Sequence, residues 1–107
     1  PIVIVVMNNG ALGNVRMWQR LFYGKRFSQT TLDFGPDWVK LAEAYGIQGF
    51  RARNAKEFAS VFDKAFASGK AAVIDARVDI DEMVLPMVPG GKPIYNQIME
   101  LSSEMMD

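Results

Sequence analysis

Residues 2–18 read IVIVVMNNGALGNVRMW, and this stretch decides the fold. Ile2 to Met7 are apolar without a break and mostly β-branched. Such side chains, stiff at χ1, favour a strand over a helix. The run is continuous rather than alternating, which predicts a strand covered on both faces, as in a parallel sheet. Asn8, Asn9 and Gly10 follow directly, then Gly13 and a helical pattern. Polar amides therefore stand at the carboxyl end of a buried strand, next to a helix N-terminus. In open α/β sheets ligands bind at that end, and helix N-termini favour phosphate.

Outward from this stretch, residues 13–22 predict a helix with Val15, Trp18 and Phe22 as its apolar stripe and Met17 and Leu21 flanking it. Residues 23–35, YGKRFSQTTLDFG, have no clean period and are long for a plain connection; such segments are often functional or hold turns of their own. Gly35-Pro36-Asp37 predicts a helix start with Pro36 in the first turn. Trp38, Leu41, Ala42 and Tyr45 continue it, and Gly46 ends it. Residues 47–52 predict a short strand. Asn54 with Glu57 predicts a capped helix carrying Phe58, Val61, Phe62, Ala65 and Phe66 on one stripe, stopped by Gly69. Residues 71–78 predict a third strand. Beyond it lie an irregular arm with a turn at Pro89-Gly90-Gly91 and a last amphipathic helix over about 93–101. Alternating strands and helices imply an α/β fold: a parallel sheet with helices on both faces, in three α/β/α layers.

Composition narrows the chemistry. The 107 residues suffice for one domain, and half are apolar. Twelve basic and twelve acidic residues leave no net charge, against a nucleic-acid binder. No apolar run approaches the ~20 residues of a membrane span, and no signal or transit peptide is visible. With neither cysteine nor histidine, the chain offers no thiolate nucleophile, no imidazole base and no His- or Cys-ligated metal. Pro1 leads straight into the first strand, and a central parallel strand needs neighbours on both edges. The chain thus reads as part of a larger or assembled protein, and by itself is expected to self-associate through that edge.

The NNGALG turn is the sharpest feature. An Asn carbonyl oxygen is a hard donor suited to Mg²⁺, and a turn carbonyl can add a second. The same residues are also ordinary turn chemistry, since Asn and Gly tolerate left-handed geometry. Spacing alone favours the turn. A Trp at helical spacing likewise suggests core for Trp18. Lys25 and Arg26 read as solvated loop charges. Asp75, Asp79, Asp81 and Glu82 read as solvent-facing or paired with Arg77 rather than as a metal cluster, and Met99, Met105 and Met106 as a packing or frayed terminus.

Residues 5–46, VVMNNGALGNVRMWQRLFYGKRFSQTTLDFGPDWVKLAEAYG, resemble the cofactor-binding domain of thiamine-diphosphate enzymes, and most closely the acetolactate synthase (acetohydroxyacid synthase) catalytic subunits. The family's motif opens with Gly-Asp-Gly and closes with Asn-Asn; the closing half is present as Asn8-Asn9. Gly13, Val15, Trp18, Gln19, Leu21, Phe22 and Tyr23 match its continuation, as do Pro36 to Gly46 and the V-L-P-M-V-P-G-G of Val84 to Gly91. The resemblance covers essentially the whole chain. It implies that residues 1–107 are the C-terminal part of a thiamine-diphosphate-binding domain, with a C-terminal arm and helix at about 79–107.

It further implies Mg²⁺ bound by the Asn9 side chain and the Ala11 carbonyl. Asn8, Asn9, Gly10, Ala11, Gly13, Asn14 and Val15 would lie around the cofactor, and Val15, Trp18 and Gly90 along a substrate channel. Asn14 departs from the Met that many members carry. The resemblance places no catalytic residue in this chain: the Asp of Gly-Asp-Gly and the Glu that activates the thiamine ring both fall outside it, so the chain by itself is expected to be inactive. The implied parent is a transferase of branched-chain amino-acid biosynthesis, a carboligase that decarboxylates pyruvate and joins the product to a second 2-oxo acid, pyruvate or 2-oxobutyrate. Its implied partners are the other domains of the catalytic subunit and further copies in a homo-oligomer, with room for FAD and a regulatory subunit, and with no nucleic acid and no membrane. Its implied place is the cytoplasm in a bacterium or archaeon and an organelle in a eukaryote. Two other readings stay open: another thiamine-dependent decarboxylase or carboligase, and a non-catalytic α/β assembly domain.

Overall fold

The computed structural model describes residues 1–100. Its elements, in chain order, are strand β1 (Val3–Asn8), helix α1 (Gly13–Phe22), helix α2 (Trp38–Ala44), strand β2 (Gln48–Ala52), helix α3 (Ala55–Ala67), strand β3 (Ala72–Arg77) and a 3₁₀ turn at Ile94–Asn96. The strands form one parallel sheet in the order β1-β3-β2. β3 is therefore the central strand, and β1 is paired along one side among the described residues. The faces of β1 are covered only in part among the described residues, unlike the two covered faces that the apolar run predicts: Ile4 and Met7 remain exposed.

Helices lie on both faces, as the alternation predicts. On one, Ala65 of α3 closes over Ala72 and Ile74 of β3, with Val3, Val5, Phe50, Phe58 and Val61 packed around them. On the other, α2 lies along β2 and β3 and shares an apolar groove with Ile4, Val6 and Val73. Gly49 permits this approach: a Cβ there would meet the Val39 carbonyl oxygen at 2.8 Å.

The local signals act as expected in most places. Asn54 accepts a hydrogen bond from the Glu57 amide, and the Glu57 carboxylate accepts one from the Arg53 amide. Gly46 and Gly69 adopt the positive φ that ends α2 and α3. Pro36, however, stands before α2 rather than in its first turn, because Asp37 is the cap and its carboxylate accepts from the Val39 and Lys40 amides. On α3 the stripe is narrower than the spacing suggests. Phe62 and Phe66 turn outward and form an aromatic ladder with Phe58, with successive ring centroids 5.8 and 6.2 Å apart.

α1 buries Met17 and Leu21, while Val15, Trp18 and Phe22 are exposed. Its inner side meets the segment after β3, where Gly13, Arg16, Met17 and Arg20 stand against residues 80–83. The last helix, expected over 93–101, is a single 3₁₀ turn. Ile98 instead pairs with Met87 in an antiparallel bridge, its amide and carbonyl both engaged at 2.7 and 2.9 Å. Leu101, Met105 and Met106 lie outside the described residues. The turn at Pro89-Gly90-Gly91 is present, closed by a hydrogen bond from the Lys92 amide to the Pro89 carbonyl.

Asp81 fastens the arm to α1, accepting from Arg16 Nε at 2.8 Å, while Arg16 also stacks over the Phe27 ring. The Arg16 hydrogen bond holds the Asp81 carboxyl below its ordinary 3.8, against the opposing pull of burial. The folded chain thus binds this proton less readily than the unfolded one. The stability this contributes is fully present above the ordinary carboxylate value and is lost as pH falls through the depressed folded value. Asp81→Asn is expected to lower stability at neutral pH by about 1 kcal/mol or less, since the carboxylate is partly exposed. Denaturant titrations at several pH values should show the gap to wild type closing once Asp81 is protonated.

Candidate functional site

The turn after β1 is built from its own amides. Asn8 Oδ1 accepts from the Gly10 amide at 3.2 Å, and Asn9 Oδ1 accepts from the Ala11 amide at 3.1 Å. Gly10 takes the positive φ that this tight reversal requires. Gly13, the first residue of α1, lies directly under Asn9: a Cβ at Gly13 would overlap the Asn9 Nδ2 atom. Leu12, the residue before α1, provides no side-chain cap, and no acidic residue falls in the first turn, so the N-terminal amides of α1 lack a side-chain acceptor there.

The loop of residues 23–35 is ordered by contacts the sequence does not display. The Gln19 side chain donates to the Ser28 carbonyl and accepts from the Ser28 amide and the Thr30 hydroxyl. Thr30 is buried. The loop then pairs with the turn itself: the Leu12 amide donates to the Thr30 carbonyl and the Leu32 amide to the Gly10 carbonyl, both at 2.8 Å. This lays residues 32–36 opposite Asn8–Ala11, and the two segments enclose a cleft of about 330 Å³ that Arg77 and Trp38 also line.

Beneath the turn is a charged network. Asp75, fully buried in β3, accepts from Asn8 Nδ2 at 2.8 Å and from Arg51 Nε at 2.9 Å, and forms an ion pair with Arg77 Nε at 3.2 Å. Arg51 also reaches Asp37, the cap of α2, at 2.8 Å. The Asp75 hydrogen bond raises the Arg51 pKa above its ordinary value. The Lys40 amide, then Arg51, hold the Asp37 carboxyl below its own, against desolvation. Sequence reasoning places Asp75 in solvent or against Arg77; the second partner is correct, the solvent is not. The missed signal is its place in β3, where the register sets Asp75 beside Val6 and Arg51 on a covered strand. The other acidic residues disperse: Asp81 goes to Arg16, and Asp79 accepts from the Asp81 amide. Among the described residues no cluster of three carboxylates could hold a metal.

Of the residues singled out from sequence, Asn8, Asn9, Gly10 and Ala11 line the one cleft. Gly13 supports it from below. Val15 and Trp18 line a different hollow of about 390 Å³ on the outer side of α1, with Gln19, Tyr23 and Arg26. Trp18 is 42% exposed and belongs to no core cluster among the described residues, unlike the buried position that its spacing suggests. Asn14 and Gly90 are exposed and line neither hollow.

The cleft's donor chemistry suits a hard cation. Asn9 Oδ1 engages one hydrogen bond and keeps a lone pair, and the Ala11 carbonyl accepts none among the described residues. Oxygen donors here would suit Mg²⁺, a hard cation held by few protein oxygens together with substrate phosphates.

Comparison with known proteins identifies the family of this fold. Residues 1–76 match the family model of the thiamine pyrophosphate enzyme, C-terminal TPP binding domain. The chain is 38% identical over 104 residues to a probable acetolactate synthase large subunit of Methanocaldococcus jannaschii, covering 97% of this chain and 17% of that protein. It is 44% identical over 117 residues to an acetolactate synthase of Mycobacterium bovis, covering 94% of this chain and 19% of that protein. Among solved structures, a thiamine diphosphate-dependent 4-hydroxybenzoylformate decarboxylase from Rhodococcus jostii RHA1 superposes with a TM-score of 0.64 at 31% identity, covering 78% of this chain and 16% of that one. The chain thus spans less than a fifth of the length of the relatives it matches. With the strand-end turn, the parallel sheet and the matched residues in agreement, the chain belongs to the family of thiamine pyrophosphate enzyme C-terminal TPP binding domains.

Proposed function

We propose that this chain is the part of an acetolactate synthase large subunit that holds Mg²⁺ and the diphosphate end of thiamine diphosphate. The observation that carries the reading is the pair of oxygens, Asn9 Oδ1 and the Ala11 carbonyl, on one cleft at the carboxyl end of β1. The uncapped N-terminus of α1 beside them favours phosphate charge. Thiamine diphosphate supplies the carbanion chemistry when bound. The residues of this chain hold its metal, orient its diphosphate and wall off the cleft.

The parent enzyme is proposed to join decarboxylated pyruvate to a second 2-oxo acid in branched-chain amino-acid biosynthesis. It does so as a homo-oligomer that draws its remaining ligands from the other parts of the catalytic subunit. FAD and a regulatory subunit belong to the same proposal, as does a cytoplasmic place in a bacterium or archaeon and an organellar one in a eukaryote. Identities of 38% and 44% to acetolactate synthases support this substrate class over that of the decarboxylase at 31%.

The test is acetolactate formation from pyruvate by the full-length protein, dependent on both thiamine diphosphate and Mg²⁺. Release of CO₂ without acetolactate would favour the decarboxylase reading instead. The same assay places Trp18. Trp18→Leu is expected to shift the preference between pyruvate and 2-oxobutyrate while costing well under the ~3–5 kcal/mol of a buried Trp truncation. A cost of that size with unchanged preference would return Trp18 to the core.

A further inference from the structure

We infer that Asp75 is a positioning residue of the cofactor site, acting through Asn8 on the placement of Asn9 Oδ1 and the Ala11 carbonyl. The inference rests on those two oxygens being the metal donors.

A carboxylate with no solvent exposure is costly unless every lone pair finds a donor. Asp75 divides that work between its oxygens. Oδ2 faces the guanidinium groups of Arg51 and Arg77, and Oδ1 accepts from Asn8 Nδ2. This leaves Asn8 one orientation: its Nδ2 must point down to Asp75, so its Oδ1 must point up to the Gly10 amide. That second bond fixes the entry to the turn in which Asn9 Oδ1 takes the Ala11 amide. Without the carboxylate the Asn8 amide could turn over, and the Gly10 amide would lose its acceptor. Arg51 carries the same carboxylate to Asp37, whose neighbours Leu32 to Pro36 form the opposite wall of the cleft. One buried side chain therefore ties both walls together. Packing alone does not call for it, since a hydrophobic residue of similar volume is often as stable as a buried ion pair.

The experiment uses the full-length protein, with calorimetric titration of thiamine diphosphate at saturating Mg²⁺ and melting of the cofactor-free protein. Asp75→Ala is expected to weaken binding about tenfold, as for residues that orient a metal ligand. Asn8→Ala should match it, and the double variant should be no weaker than either single one. Asp75→Asn has a single acceptor oxygen, which the arginines Arg51 and Arg77 draw while its amide nitrogen turns toward Asn8, so affinity should fall as in Asp75→Ala. Ile74→Ala, on the other face of the same strand, should lower melting without changing affinity. Affinity unchanged in Asp75→Ala, or additive losses in the double variant, would overturn the inference. If Asp75→Ala does not fold, unchanged affinity in Asn8→Ala overturns it equally. If Asn9→Ala also binds normally, the assignment of the donors fails, and this inference with it.

Discussion

Asn9→Ala in the full-length protein is expected to weaken Mg²⁺-dependent binding of thiamine diphosphate about a hundredfold, the upper end of the range for residues that merely support a ligand. The variant removes a donor oxygen, and no neighbouring side chain in the turn replaces it: Gly10 and Ala11 offer only backbone. The cost in folding should be small by comparison. Asn9 makes one hydrogen bond to the Ala11 amide from a partly exposed position, worth about 1 kcal/mol. Cofactor affinity and apo-protein melting should therefore separate. Asn9→Asp retains an oxygen at the same place and should lose much less. Titration at several Mg²⁺ concentrations distinguishes a metal ligand from a cofactor contact, because only the ligand variant shifts the metal dependence. Unchanged affinity in Asn9→Ala would remove the residue from the site.

Gly13→Ala is expected to produce the same defect with the opposite effect on stability. Gly13 opens α1 with a backbone that alanine accepts, and alanine is the better helix former by up to about 1 kcal/mol. Its methyl group would nevertheless overlap the Asn9 Nδ2 atom. The amide is planar, so displacing the nitrogen also displaces the oxygen on the same carbon. Melting of the apo protein should hold or rise while affinity falls by about tenfold or more, the scale of lost ligand orientation. In an Asn9→Ala background the substitution should change nothing further, since there is no amide left to displace. A Gly13→Ala protein that binds normally would show that the turn has room to yield.

These two expectations draw on different kinds of information. Asn9 is legible in the sequence because a strand-end Asn pair before a helix start is a local pattern. The elements around it are legible for the same reason. A β-branched run makes β1, Asn54 with Glu57 starts α3, and Gly46 and Gly69 end α2 and α3. Each of these outcomes is settled by a few neighbouring residues, through side-chain stiffness, capping or backbone freedom.

What local pattern could not settle was which of two adequate faces would be buried, and what distant residue would pair with a charge. α1 carries Val15, Trp18 and Phe22 on one side and Met17 and Leu21 on a neighbouring one, and periodicity alone chose the wrong side. The choice was made by the arm, whose Asp81 draws Arg16 inward from far along the chain. The helix expected at the end of the arm gave way, over the described residues, to the bridge between Met87 and Ile98, whose two backbone hydrogen bonds hold Ile98 to a residue eleven positions earlier.

Alternation by itself determined the α/β class and the helices on both faces, since parallel strands require crossovers and crossovers require cover. Only the tertiary structure decided that β3 is central, that Asp75 lies beneath the Asn8 amide, and that Gly13 abuts Asn9. The first two depend on strand order and register, which are set by contacts between residues far apart in the chain, and the third on the backbone path of a turn only four residues long, which residue type alone does not display.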